Sequence, residues 1–226
     1  CGIVSRRFAT IGATVAIALF VIIAGAGSAS IRAGAMAGIA LFARATGRTY
    51  DAFRALVVAG LLMIAWNPYT LVYDYGFQLS FIATLGLIFG APIIEKHFSW
   101  LGQRFMREIL SATISAQIAV LPLLLYQNGL FSVVALPANI FVLPVVPFAM
   151  LASLLALIAG VVLPVAAPIV ALPAYVLLSY ITSVVEILSS LPLASFSVPA
   201  FPFALVVVAY VGLVYFLYKH TKQKQP

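Results

Sequence analysis

The sequence predicts an all-α fold, a polytopic transmembrane bundle with broken, proline-rich helices, on three observations. The 226 residues are 65% hydrophobic and 8% charged, which leaves too few polar side chains to cover a soluble globule of that size. Ala, Val, Leu and Ile dominate runs of spanning length, and at about 20 residues per crossing the chain has room for about eight membrane segments. This composition fits helices and not a barrel. Ten of the thirteen prolines lie between Pro122 and Pro202, and from Ile109 to Tyr218 the only formal charge is Glu186. That half is apolar yet repeatedly interrupted, so neighbouring helices or water must satisfy the carbonyls that proline frees.

A first segment runs over about 8–27, and Arg6-Arg7 hold its start on the cytoplasmic side. A second, about 28–44, carries Gly34 and Gly38 at the small-xxx-small spacing that lets a neighbouring helix approach closely. Arg44, Arg48 and Arg54 follow as the most basic loop, placed in the cytoplasm. A third segment, about 53–66, ends at Trp66 and the breaker Asn67-Pro68. The outside loop bears Tyr69, Tyr73 and Tyr75, and a fourth segment returns over 76–91. In the linker 95–108 and just beyond it, Phe98, Leu101, Phe105 and Ile109 share one helical face, with Lys96, Gln103 and Arg107 opposite. The pattern suits a helix lying on the cytoplasmic membrane surface and a short solvated loop equally.

Charge parity constrains the second half. With Asn128-Gly129 outside and Lys219, Lys222 and Lys224 holding the tail inside, an odd number of crossings must separate them. Four stretches compete, about 132–147, 148–163, 165–190 and 202–218. The weakest is 132–147, interrupted by Pro137, Asn139, Pro144 and Pro147, and a re-entrant or half-spanning segment is expected there. Such backbone survives at membrane depth only when buried in protein or lining a wet cavity.

The net charge of +7 comes from basic residues in small groups between apolar runs, which makes it topogenic and not a nucleic-acid surface. A single cysteine rules out a disulfide framework within the chain and a cysteine-based metal cluster. The chain opens on Cys1 and Arg6-Arg7; a lipidated N-terminus would put those arginines outside, so residues 1–226 are expected to be one membrane domain cut from a longer protein. No serine nucleophile with its base, coupled carboxylate pair or glycine-rich phosphate loop is present. His97 and His220 lie in basic cytoplasmic segments and build no hydrolytic metal site. No enzyme activity, metal or cofactor is expected.

The chemistry-bearing candidates are polar groups in apolar surroundings. Asp74 leads into Tyr75 and the block Gly76-Phe77-Gln78-Leu79-Ser80-Phe81, at the mouth of the fourth segment, where a polar side chain must find a partner or water. Asp74 suits a helix cap, or an ion pair with Arg32, better than contact with a polyanion. Gln78 is the better lining candidate there, since Ser80 projects elsewhere. Phe77 and Phe81 share a face, for packing or for base stacking. Gln117 shares a face with Thr113 and serves either an interhelical hydrogen bond or a pore lining, beside a small-residue stripe of Ser111, Ser115 and Ala119. Asn139 is the polar group at the tip of the broken segment. Glu186 fits the interface better than a buried ion site.

Ser30-x-Arg32-Ala33-x-x-Met36, Gly47-Arg48-x-x-Asp51, Asn67-Pro68, the Gly76–Phe81 block and Ala116-Gln117-x-x-x-Leu121-Pro122 follow in an order that resembles the competence domain of ComEC proteins, and Asn139 and Pro144 continue the match. The resemblance implies an inner-membrane channel, in a bacterial cell, through which single-stranded DNA enters the cytoplasm during natural transformation. It also implies a periplasmic or surface DNA receptor and a cytoplasmic motor ATPase as partners. Flanking parts of such proteins, including a metallo-β-lactamase-like domain in many, are absent here. Arg32, near the outer end of its segment, then either meets entering phosphates or snorkels to headgroups. With so few charges, the expected lumen is neutral and weakly binding, with arginines at its ends. A secondary transporter of a small anion or amphiphile, and a scaffold for missing soluble domains, are the other classes the broken helices suit.

Overall fold

The computed structural model describes residues 2–98, 100, 102, 104–192, 194–199 and 201–222, with side chains outside 2–9 and 220–222. It divides into two compact units, Cys1–Gly90 and Ala91–Pro226. The division falls inside a helix next to Pro92, whose missing N–H interrupts the hydrogen-bond ladder there.

The first unit contains α1 (Gly2–Ile23), α2 (Ser28–Ala45), α3 (Ala52–Trp66), α4 (Thr70–Tyr73) and the larger part of α5 (Tyr75–His97). The observed α2 and α3 match the expected second and third segments to within a residue at each end. Asp51 starts α3 by accepting the Arg54 N–H at 2.8 Å, the usual N-cap geometry. The core is the α3 face made by Ala55, Leu56, Ala59, Gly60 and Met63, all buried. This face follows the helical period, and its small residues let neighbours come close. A Cβ on Gly60 would lie 2.9 Å from the Phe81 ring, and Phe53 meets Phe89 edge-on at 5.5 Å. Together these contacts run α3 antiparallel to α5. On the other side α2 packs between α1 and α3.

The second unit contains α6 (Arg104–Asn128), β1 (Leu130–Ser132), α7 (Ala135–Val142), α8 (Val146–Val162), α9 (Ala167–Ser189), β2 (Ser195–Ser197) and α10 (Phe203–Lys222). Gly129, at φ +63°, ends α6 in the left-handed conformation that glycine takes at no steric cost. It turns the chain into an antiparallel ribbon in which Leu130, Phe131 and Ser132 pair with Ser197, Phe196 and Ser195. This ribbon is the one β feature among the described residues, and the sequence analysis did not anticipate it. It fixes the parity argument, because the α6–α7 and α9–α10 connections must lie at the same end of the unit. α8 packs along α9, which makes the return. α7, at eight residues, reaches only about 12 Å and meets α8 at a 53° bend. The 132–147 stretch is thus a half-length element, as either a re-entrant loop or the first part of one broken span with α8.

Pro122 sits inside α6 and weakens the ladder around it. Tyr210 on α10 donates its hydroxyl at 3.1 Å to the carbonyl of Ala119, the residue after Ile118, whose carbonyl the missing Pro122 N–H leaves without its helical donor. On length and composition α5, α6 and α9 can each cross a membrane, and the bent pair α7–α8 makes a fourth. These are counted among the described residues alone, in a chain with room for about eight. α3 is shorter, its 15 residues covering about 22 Å against a hydrocarbon core of about 30 Å.

A separate surface helix over 95–108 is not formed. Residues 95–97 finish α5, 104–108 begin α6, and Trp100 and Gly102 between them are non-helical. Leu101 and Gln103, two members of the proposed faces, lie outside the described residues. Across this connection Arg107 Nε meets Glu95 Oε1 at 3.1 Å, which joins the end of α5 to the start of α6.

Two outcomes follow from this packing. A Cβ on Gly34 would lie 2.6 Å from Val21 Cγ2, whereas Gly38 has open space. Val21 is stiff about χ1, so Gly34→Ala is expected to destabilise the α1–α2 pair by about 1–3 kcal/mol. Gly38→Ala is expected to be neutral or mildly stabilising; thermal unfolding of both variants in nanodiscs compares them. Tyr210→Phe removes the donor to Ala119 and is expected to cost about 1 kcal/mol, read as a lowered midpoint in the same assay.

Candidate functional site

The N-terminal ends of α2 and α5 meet at Asp74. Its Oδ1 accepts the Phe77 N–H at 2.9 Å, and its Oδ2 accepts the Ser28 hydroxyl. One carboxylate thus caps α5 and ties it to the first turn of α2. Gly76 completes the cap, since a Cβ there would press on Asp74 Oδ1 at 3.1 Å. The Ser28 hydroxyl holds the Asp74 carboxyl below the usual carboxylate range; the Phe77 and Gly76 N–H groups act the same way, and partial burial opposes them. Stability from this latch is complete above the ordinary carboxylate pKa of about 4 and is lost as pH falls through the lowered value. No ion pair joins Asp74 to Arg32 among the described residues.

Arg32 turns the other way. It lies four residues into α2 from Ser28, about 6 Å along the axis. Its Nη1 donates to Thr84 Oγ1 and lies 3.9 Å from Met36 Sδ. Thr84 is ten residues past Asp74, about 15 Å along α5, and Met36 is one turn further along α2. The guanidinium therefore reaches down the two helices, away from their N-termini, which is the opposite of snorkelling to that end. Thr84 Oγ1 in turn donates to the Ser80 carbonyl at 2.8 Å, so it holds the arginine without neutralising it. Arg32 Nε is buried with no partner, and none of the ion pairs among the described residues involves Arg32. A cation with open donors and no counter-charge is an anion site in its chemistry.

The rest of the block is structural. Gln78 Nε2 donates to the Leu71 and Val72 carbonyls at 3.0 and 2.9 Å, which fastens α4 to α5 and commits the amide nitrogen expected to line a path. Phe77 is buried and stacks on Phe81 at 4.2 Å, with Phe81 against Gly60; these rings pack and are not free for bases. Ser80 Oγ bonds back to the Phe77 carbonyl at 3.0 Å, and Leu79 is half-buried. Ser28 and Thr84 were not singled out from sequence, although Ser80 and Thr84 at four-residue spacing form a polar stripe on an apolar helix, which was the available signal.

In the second unit Gln117 and Asn139 are both half-buried, and neither side-chain amide has a hydrogen bond among the described residues. Ser111 and Ser115 are buried together with Ala119, and Thr113, on the other face, is buried as well. Ser111 bonds back to the Arg107 carbonyl at 2.7 Å, while Thr113 Oγ1 and Ser115 Oγ are unpartnered. Glu186 is exposed in the last turn of α9, and His97, exposed at the end of α5, contacts the Ile93 carbonyl at 3.2 Å. Arg44, Arg48 and Arg54 are exposed.

A family model described as Competence protein matches residues 2–223. The chain is 29% identical over 160 residues to ComE operon protein 3 of Bacillus subtilis (strain 168), covering 71% of this chain and 20% of that protein. The chain thus spans about a fifth of the length of that relative. No solved structure matches it. Motif order, helical membrane architecture and a family match over nearly the whole chain converge, and the protein belongs to the ComEC family of competence proteins.

Proposed function

We propose that this chain forms part of the conduit by which single-stranded DNA crosses the bacterial inner membrane during natural transformation, without chemistry of its own. It would receive the strand from a DNA receptor outside and be driven by a motor ATPase inside. The family supports competence as the setting. The observation that carries the reading is Arg32, whose uncompensated guanidinium extends down α2 and α5 instead of returning to the headgroups.

Passing phosphates through hydrocarbon demands a hydrated path. Arg32 supplies one charge for it. The second unit, taken by itself, has neutral polar groups of the kind that hold a strand lightly, the open amides of Gln117 and Asn139 and the half-length α7. A single strong site would trap a polyanion; a single cation backed only by hydroxyl and thioether does not. A small-anion transporter would draw on the same cation, and the two readings part on what is carried.

In the intact protein at unchanged abundance, Arg32→Ala is expected to lower entry of labelled DNA about tenfold or more, the worth of a charge-assisted bond. Arg32→Lys, which keeps the charge and loses the fork, should fall between. Uptake unchanged by Arg32→Ala, or saturable uptake of a small anion by proteoliposomes with no DNA entry, sinks the conduit.

A further inference from the structure

We propose that the 66–75 loop is a stacking platform for the bases of the entering strand, built from Trp66, Tyr69, Tyr73 and Tyr75. The inference rests on the conduit reading and adds a subsite of different chemistry to it. Its starting point is where the loop's polar groups go. Asn67 Oδ1 accepts the Tyr69 N–H at 3.1 Å, and the Asn67 carbonyl accepts the Thr70 hydroxyl at 2.6 Å. Gln78 holds the Leu71 and Val72 carbonyls, and Asp74 holds Ser28 and the start of α5. Each of these polar side chains fastens the loop to itself or to its neighbours.

What the loop presents outward is four aromatic rings, with Leu71 and Val72 beside them. Trp66 is 93% exposed, Tyr73 75%, Tyr69 70% and Tyr75 60%. Tyr69 and Tyr73 stand one turn apart with ring centroids 6.2 Å from each other and planes at 44°. Two rings sandwiching a base need about 7 Å, twice the contact distance of carbon atoms, so a small rotamer change opens the pair to one base. Aromatic anchors at a headgroup boundary need depth only, whereas this loop is pinned by hydrogen bonds at residues 67, 70, 71, 72 and 74. Rigid rings are what stacking exploits, and stacking accepts every base, as a channel for arbitrary sequence must. The same α5 N-terminus leads down to Thr84 and Arg32, placing a phosphate partner beneath the platform. Asp74, the one carboxylate in the loop, already accepts two hydrogen bonds.

The test uses the intact protein in phosphatidylcholine nanodiscs, titrated with an oligothymidylate of about twenty nucleotides and with an abasic strand of equal length and charge. The oligothymidylate is expected to bind roughly fivefold or more tightly than the abasic strand, as one stacked base gives. Tyr69→Leu with Tyr73→Leu should abolish that difference and leave abasic binding unchanged; Tyr69→Trp with Tyr73→Trp should keep it. Arg32→Ala should weaken both strands. Equal binding of the two strands by the unmodified protein, retention of the difference by the Leu pair, or equal losses in the Leu and Trp pairs would each overturn the platform. If Arg32→Ala still weakens both, the conduit stands without it; if neither strand binds the unmodified protein, both fall.

Discussion

In an apolar solvent every polar group must be matched inside the molecule, and that requirement organises this fold more than any apolar contact does. Lipid tails are as apolar as the side chains they touch, so burial of Leu or Val separates α8 from α9 no better than lipid would. Positions are fixed instead by close approach of small residues and by specific bonds. Gly34 and Gly60 set helix separations in the first unit. Asp74, Ser28 and Gln78 set the heights of α2, α4 and α5 relative to one another. In the second unit Tyr210 bonds α10 to α6 at the Ala119 carbonyl, and the β1–β2 ribbon locks two connections to one end.

Against such thorough pairing, the groups left unmatched stand out. Arg32 Nε, Thr113 Oγ1 and Ser115 Oγ are buried without partners, and Gln117 and Asn139 have unused amides among the described residues. A hydroxyl inside a helix ordinarily bonds back to the carbonyl four residues earlier, as Ser111 does, so leaving Thr113 and Ser115 open is a departure from the local default. Unpaired donors and acceptors at membrane depth are expensive unless water or a passing polar group meets them. Within each unit water or a polar ligand would answer that cost, as the proposed conduit requires.

The helices of the first unit were legible because their signals are local. Arg44 and Asp51 bracket a loop, Trp66 and Asn67-Pro68 stop a helix, and α2 and α3 fall where those residues put them. The half-length α7 was legible for the same reason, since three prolines in eleven residues forbid a straight span. What escaped depends on residues distant in sequence. The ribbon pairs Phe131 with Phe196, the Asp74 latch needs Ser28, and the course of Arg32 depends on Thr84, 52 residues away. The Gln78 bonds to the α4 carbonyls escaped too, because periodicity gives a side chain's direction without showing what stands in that direction. The Glu95–Arg107 ion pair likewise joins residues twelve apart that a local helical pattern does not pair.

The direction of one side chain then decides how the polar block and the membrane segments work together. An arginine that returned to the headgroups would meet phosphate at the surface and bind lipid as readily as DNA. Turned down between α2 and α5, Arg32 points away from their N-terminal ends and, in the proposed conduit, would offer its donors to an anion that has already entered. Thr84 makes this orientation tenable, giving the guanidinium an acceptor while passing its own proton to the Ser80 carbonyl. A carboxylate in that position would pair with the cation and extinguish its attraction for phosphate. A hydroxyl steers it and leaves the charge in place, which is the property a conduit for a polyanion requires.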